Sequence, residues 1–157
     1  MMKILVLALA ALLPGCFLLP ATHGSEAPVP FELGAQDFPG GDRIQIDRVL
    51  GDRGAWIAGM PVVVEGHYEL RSRPAGVLFF GVTNSGAQGA TETTPGQQKL
   101  VERGSGTFTL WLTMPPQGWP HITFYDPQAG GPFGGVYFGS GDNVLHDKTW
   151  AYNPPPR

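Results

Sequence analysis

The chain contains a single cysteine, Cys16, so it cannot form a disulfide bond within itself. A fold without such cross-links must be held together by its hydrophobic core. With 157 residues, of which 42% are hydrophobic, the chain is long enough to build one domain with a substantial core. It also lacks any run of basic residues, and its net charge is −3. Nucleic acids and anionic lipid head groups are therefore not expected partners.

Helical periodicity is also absent: no window of about twelve residues has the apolar spacing of an amphipathic helix. The chain has instead short segments in which apolar and polar residues alternate, separated by turns rich in its 23 glycines and 16 prolines. This pattern predicts an all-β fold of about seven or eight short strands, arranged as an immunoglobulin-like antiparallel β-sandwich. A jelly roll or a small β-barrel is the alternative.

Three segments carry the strand prediction. Residues 62–71 and 107–114 alternate strictly, which predicts two half-buried strands. Residues 77–83 are apolar on both faces and predict a central strand. The glycine-rich run from Gly130 to Gly141 is interpreted as a long turn that leads into a strand, with Val136 and Phe138 in the core.

The N-terminus has a different pattern. Lys3 is followed by an unbroken apolar run from Ile4 to Leu13, and then by Pro14, Gly15 and Cys16. A positive head, a short apolar stretch and a small-residue stop are typical of an export signal that is removed from the mature protein. Proline and glycine interrupt the stretch before it reaches the roughly twenty apolar residues of a spanning helix.

The sequence Leu13-Pro14-Gly15-Cys16 resembles the lipobox of bacterial lipoproteins, with leucine three residues before the cysteine and glycine directly before it. The resemblance implies cleavage before Cys16, lipidation of Cys16 and anchoring of the exported protein in the cell envelope. The alternative is cleavage near Ala21 or Gly24, which would release a soluble periplasmic or secreted protein without the cysteine.

These features predict four segments. Residues 1–15 are the signal peptide, 16–40 the lipidated cysteine with a proline-rich tether, 41–152 the β-sandwich domain, and 153–157 a disordered tail. Four prolines within residues 17–40 argue against a helix or a central strand there. The alternative is that the segment from Val29 to Phe38 contributes a first edge strand.

No pattern typical of a catalytic or metal site follows the signal. A nucleophile elbow requires Gly-x-Ser-x-Gly between a strand and a helix, whereas Ser105 and Ser140 lie in Gly-Ser-Gly turns. His67, His121 and His146 are far apart in sequence and lack the spacing of a zinc motif. We therefore predict no catalytic residues, no cofactor and no metal.

Trp111 is the best candidate for a binding residue, because alternation places it on a face otherwise made of threonines. If its strand forms a hairpin with residues 121–125, Trp111 faces Thr123, with His121 and Tyr125 on the diagonals. Such a flat aromatic patch with polar neighbours is typical of surfaces that bind proteins or carbohydrates. The alternative is that residues 115–120 carry the chain to the other sheet, which leaves Trp111 and Tyr125 on opposite outer faces.

Together these observations predict an exported, lipid-anchored, non-catalytic module that binds another envelope component, either a protein or a glycan. A carbohydrate-binding module that uses the aromatic face is the second hypothesis. A small hydrolase or metal-dependent enzyme is the third.

Overall fold

The computed structural model describes residues 26–84, 91–92 and 97–146. Within these ranges there are eight strands and two short 3-10 turns, Pro39–Gly41 and Gly141–Asn143. The strands are β1 (Glu26–Pro28), β2 (Glu32–Asp37), β3 (Arg43–Asp52), β4 (Pro61–Asn84), β5 (Thr91–Glu92), β6 (Gln98–Thr113), β7 (Trp119–Tyr125) and β8 (Pro132–Gly139). The prediction of an all-β fold is confirmed.

The described strands form one continuous antiparallel sheet, which curls like half of a barrel. Its main path runs β1-β3-β4-β7-β8-β2, and β5 and β6 also pair with β4. The finer prediction, two separate sheets in an immunoglobulin-like sandwich, is not confirmed.

β4 belongs to both halves of this sheet. Its first half, Pro61 to Leu70, pairs with β3 along one edge and with the end of β6 along the other. Its second half, from Ala75 onward, pairs with the start of β6 and with β7. The first half-sheet therefore contains β1, β3, the start of β4 and the end of β6. The second half-sheet contains the end of β4, the start of β6, β7, β8 and β2.

The two segments of β4 that the sequence predicts as separate strands meet at a bend. The register with β6 shifts between Leu70 and Ala75, and such irregularities bend a strand and increase its twist. The buried carboxylate of Asp42 stabilises this bend. Its Oδ1 accepts hydrogen bonds from the backbone N–H groups of Arg71 at 2.7 Å and Ser72 at 2.8 Å, and its Oδ2 accepts one from the Ser72 hydroxyl. Backbone donors that leave the ladder are thus satisfied by a charged acceptor.

The hydrophobic core lies inside the curl. The two half-sheets contribute alternate residues to a single buried cluster, including Val64, Phe108 and Leu110 from the first and Phe80, Ile122, Phe124, Val136 and Phe138 from the second. Aromatic rings connect the two half-sheets, since the ring centroids of Tyr68 and Phe124 lie 6.4 Å apart. The predicted core positions of Val136 and Phe138 are confirmed, with 1% and 0% of their surfaces exposed.

β1 and β2 are consecutive in the chain but lie at opposite ends of the sheet path. Only residues 29–31 separate them. Because a residue spans at most about 3.6 Å, this link reaches no more than about 15 Å from Pro28 to Glu32. The two ends of the sheet must therefore lie close together, so the sheet cannot be flat. Val29, within the link, is 4% exposed and packs in the core.

The predicted tether is wrong for residues 26–40, which form β1, β2 and a 3-10 turn of the folded domain. The alternative of an edge strand within residues 29–38 agrees with β2. The prolines misled the prediction because Pro28 ends an edge strand and Pro30 lies in the link, where a missing N–H costs no ladder bond. Residues 1–25 and 147–157, with the predicted signal, Cys16 and the tail, lie outside the described residues.

Replacement of Gly66 by alanine should destabilise the protein by about 2–4 kcal/mol. An added Cβ would lie 2.1 Å from the backbone oxygen of Gln45 and 2.8 Å from the Phe108 ring, so β3 would have to move away from β4. Denaturant unfolding of the two proteins measures the change. The matched control is Gly131→Ala, because nothing lies within 4 Å of its added Cβ. Equal stabilities of the two variants would contradict the close approach of β3 to β4.

Candidate functional site

The two half-sheets differ in how their outer faces are covered. On the second half-sheet, Val144 and Leu145 are 7% and 8% exposed. Leu145 packs with Ala35 and Tyr137 in a small second cluster, and its backbone oxygen accepts a hydrogen bond from the Ala35 N–H at 2.7 Å. The outer face of this half-sheet is therefore partly covered by the chain itself.

Three of the four residues of the predicted patch share this covered face. His121, Thr123 and Tyr125 alternate along β7, and Ile122 and Phe124 between them point into the core. His121 is 4% and Thr123 3% exposed, and Tyr125 is half-buried. The structure thus brings these three side chains together, but in a mostly buried environment.

Trp111 lies elsewhere. The predicted hairpin of β6 with β7 is wrong, because both strands pair with β4. Trp111 lies opposite Val63 in the first half-sheet, whereas Thr123 lies opposite Phe79 in the second. The arrangement corresponds to the alternative in which residues 115–120 carry the chain across. The alternation of apolar and polar residues cannot distinguish these two arrangements, because it does not determine which strand pairs with β6 or with β7.

The buried side chains of the second half-sheet form a small polar and aromatic cluster. The Nδ1 atom of His121 lies 2.8 Å from Oγ1 of Thr123, and its ring centroid lies 5.0 Å from that of Tyr137. The Tyr137 hydroxyl lies 3.1 Å from Oγ1 of Thr83. Burial lowers the pKa of His121 to about 4, because a charged imidazolium would lose its hydration. His121 is therefore neutral at pH 7.

A shallow cavity of about 290 Å³ lies next to this cluster. Phe79 and Tyr125 form its aromatic wall, with ring centroids 5.6 Å apart. Asp126 lies at its rim, and the backbone N–H groups of Ala129 and Gln128 donate to its carboxylate and lower its pKa. These hydrogen bonds form the turn between β7 and β8, so Asp126 has a local structural role.

Among the residues that the structure describes, the outer face of the first half-sheet is the more exposed of the two. Trp111 exposes 47% of its surface there and is the only Phe, Tyr or Trp with an exposed side chain among residues 26–84 and 97–146. Beside it lies an open depression of about 500 Å³. We call this surface the Trp111 face and define it by Trp111 and the polar residues of the depression: Asp47, Arg48, Glu65, His67, Thr107 and Thr109.

Strand register explains how these residues come together. Glu65 lies opposite Thr109, and His67 opposite Thr107, along the β4–β6 pairing. On the other edge of β4, a bulge between Ile46 and Arg48 places two successive polar residues on the same face. The sequence indicates this bulge, because the adjacent polar residues Asp47 and Arg48 interrupt the apolar–polar alternation of β3.

The charges of the Trp111 face are paired within it. The guanidinium of Arg48 donates to Oε2 of Glu65, with its Nε at 2.8 Å, and Nδ1 of His67 contacts Oδ2 of Asp47. These pairs are partly exposed and contribute little stability.

No protein family, no curated protein and no solved structure matches the chain. Within the residues that the structure describes, no helix has the length and apolarity needed to cross a bilayer. In the same residues, no three His, Cys, Asp or Glu side chains cluster at metal-binding distance. His67 and His121 lie on different half-sheets.

The buried neutral His121 predicts a pH dependence of stability. In the unfolded chain its pKa is near 6.5, and in the folded protein it is about 4. The unfolded state therefore binds an extra proton between these values, and the free energy of unfolding should fall as the pH is lowered from about 6.5 to about 4. The shift corresponds to a loss on the order of 3 kcal/mol.

Denaturant unfolding across this pH range measures the effect. His121→Gln retains a hydrogen-bonding partner for Thr123 but cannot titrate. Its free energy of unfolding should therefore fall by about 3 kcal/mol less than that of the unmodified protein over the same pH range. His146→Gln, at an exposed position, is the matched control and should behave like the unmodified protein. Identical pH profiles for His121→Gln and the unmodified protein would contradict a buried neutral histidine.

Proposed function

We propose that this protein is an exported, lipid-anchored binding module of the cell envelope, and that it binds an envelope component through the Trp111 face. The observation that carries the proposal is the exposure of Trp111. An indole that leaves roughly 100 Å² in water forgoes about 2–3 kcal/mol of burial. All other aromatic residues within the described ranges are buried or half-buried, so this exposure is typical of a side chain that acts in binding.

The polar neighbours of Trp111 support the same proposal. Binding sites combine aromatic contact area with a few positioned polar groups, and the Trp111 face has both. The contrast between the two half-sheets adds to this argument, because among the described residues the chain partly covers its own outer face on the second half-sheet and leaves Trp111 exposed on the first.

The proposed anchor fits the beginning of the folded domain. β1 starts at Glu26, ten positions after Cys16, and ten residues reach at most about 35 Å. A domain held by lipid on Cys16 would therefore stay close to the membrane surface. The ligand that we propose is an envelope component within this reach.

Two variants test the anchor and the binding face separately. Cys16→Ser should abolish incorporation of a labelled fatty acid and move the protein from the membrane fraction to the soluble fraction. The unmodified protein should label and sediment with membranes. Equal labelling of both proteins would contradict lipidation at Cys16. It would not affect the proposed binding face, which the Trp111 variant tests.

Trp111→Ala should weaken retention of the purified protein by a delipidated envelope fraction at least tenfold, which corresponds to about 1.4 kcal/mol of binding free energy. Delipidation removes retention that is due to membrane insertion of the anchor. The variant should change the free energy of unfolding by no more than about 1 kcal/mol, because the side chain is exposed.

Leu100→Ala is the matched control. Leu100 is 68% exposed and pairs with Val77 in the second half-sheet, so its truncation removes an exposed apolar group that is not part of the Trp111 face. Retention should be unchanged in this variant. Equal retention of all three proteins would show that the Trp111 face is not the binding surface.

A further inference from the structure

We propose that the ligand of the Trp111 face is a neutral carbohydrate chain. This inference rests on the proposed function and specifies the chemistry of the bound envelope component. Three properties of the face lead to it: the pairing of its charged groups, the mixture of donors and acceptors that remain unused, and the position of the flat indole next to them.

The charged groups of the depression have partners within the face. Arg48 is paired with Glu65, and His67 contacts Asp47, so the depression presents no cluster of like charges to an approaching ligand. A phosphate-rich or acidic polymer would gain no general electrostatic attraction, and neither would a basic peptide. The binding of a neutral ligand does not depend on such attraction, so paired charges on the face do not weaken it.

The ion pairs leave hydrogen-bonding groups of the face unused. Arg48 uses Nε and Nη2, and Glu65 uses Oε2, so Nη1 of Arg48 and Oε1 of Glu65 make no hydrogen bond within the described chain. The same holds for the hydroxyl groups of Thr107 and Thr109. A donor, an acceptor and two hydroxyls therefore lie side by side. A sugar hydroxyl is both a donor and an acceptor, so it can bond to each of these groups.

The indole supplies the apolar part of the site. One face of a pyranose ring presents C–H groups, and these pack against a flat aromatic surface. Trp111 and Thr109 lie two positions apart on one strand, so their Cα atoms are roughly 6.5 Å apart and their side chains share a face. A sugar that stacks on Trp111 would place the next unit above Thr109 and Glu65. The depression of about 500 Å³ has the size of a small-ligand site.

The deciding experiment measures retention of the purified full chain by delipidated envelope fractions that have been treated in one of two ways. Periodate cleaves vicinal diols of sugars, and a broad protease removes proteins. We expect periodate to reduce retention at least tenfold and the protease to leave it within twofold. Retention should also be unchanged between about 0.05 M and about 0.5 M salt, because no net charge is neutralised on binding.

Variants connect this result to the face. Trp111→Phe keeps a flat ring and should lose less retention than Trp111→Ala, and Thr109→Val removes a hydroxyl without changing the shape and should lose about fivefold. Leu100→Ala again serves as the control. Thermal unfolding of each variant confirms that it is folded.

The outcomes separate this inference from the proposed function. Retention that depends on Trp111 but is destroyed by protease and survives periodate would overturn the carbohydrate assignment and leave a protein ligand. A more than tenfold loss at high salt would overturn the neutrality of the ligand. Retention that is equal for the unmodified protein and Trp111→Ala would overturn the proposed function itself.

Discussion

The structure depends on β4 being one strand that serves two half-sheets. Because it is continuous, the positions of β3, β6 and β7 are linked through a single backbone. The bend between Leu70 and Ala75 sets the angle between the two half-sheets, and Asp42 satisfies the N–H groups that this bend removes from the ladder. The same bend separates Trp111 from His121. Both residues are neighbours of β4, but of different halves.

Much of the fold could be predicted from the alternation of apolar and polar residues, and each wrong prediction has a specific physical reason. The inward positions of Val64, Phe108 and Ile122 follow from period-two patterning, because each strand has one face in the core. The pairing of strands does not follow from it. Arg71 to Pro74 looks like a break between two strands, yet a bent strand tolerates a proline where the ladder is already interrupted.

In the candidate site, too, the features of single strands could be predicted and the contacts between strands could not. Alternation correctly separates Trp111 from the core and groups His121 with Thr123, since these are statements about single strands. It cannot show whether an outer face is open or covered. That difference depends on Leu145, which is distant in sequence from β2 and packs on it in the fold. The pairing of the polar groups of the Trp111 face was also hidden, because it arises from contacts between residues of β3 and β4.

The pairing of β2 with β8 has a consequence for how the chain reaches this fold. β8 is the strand with which β2 pairs, and nearly the whole domain separates them in sequence. A polypeptide is synthesised from its N-terminus, so residues 32–37 have no pairing partner until residues 132–139 have been synthesised. The pairing of β2 with β8 can therefore form only after nearly the whole domain is available. Until then the molecule carries an unprotected strand edge, the kind of surface on which chains stick to one another.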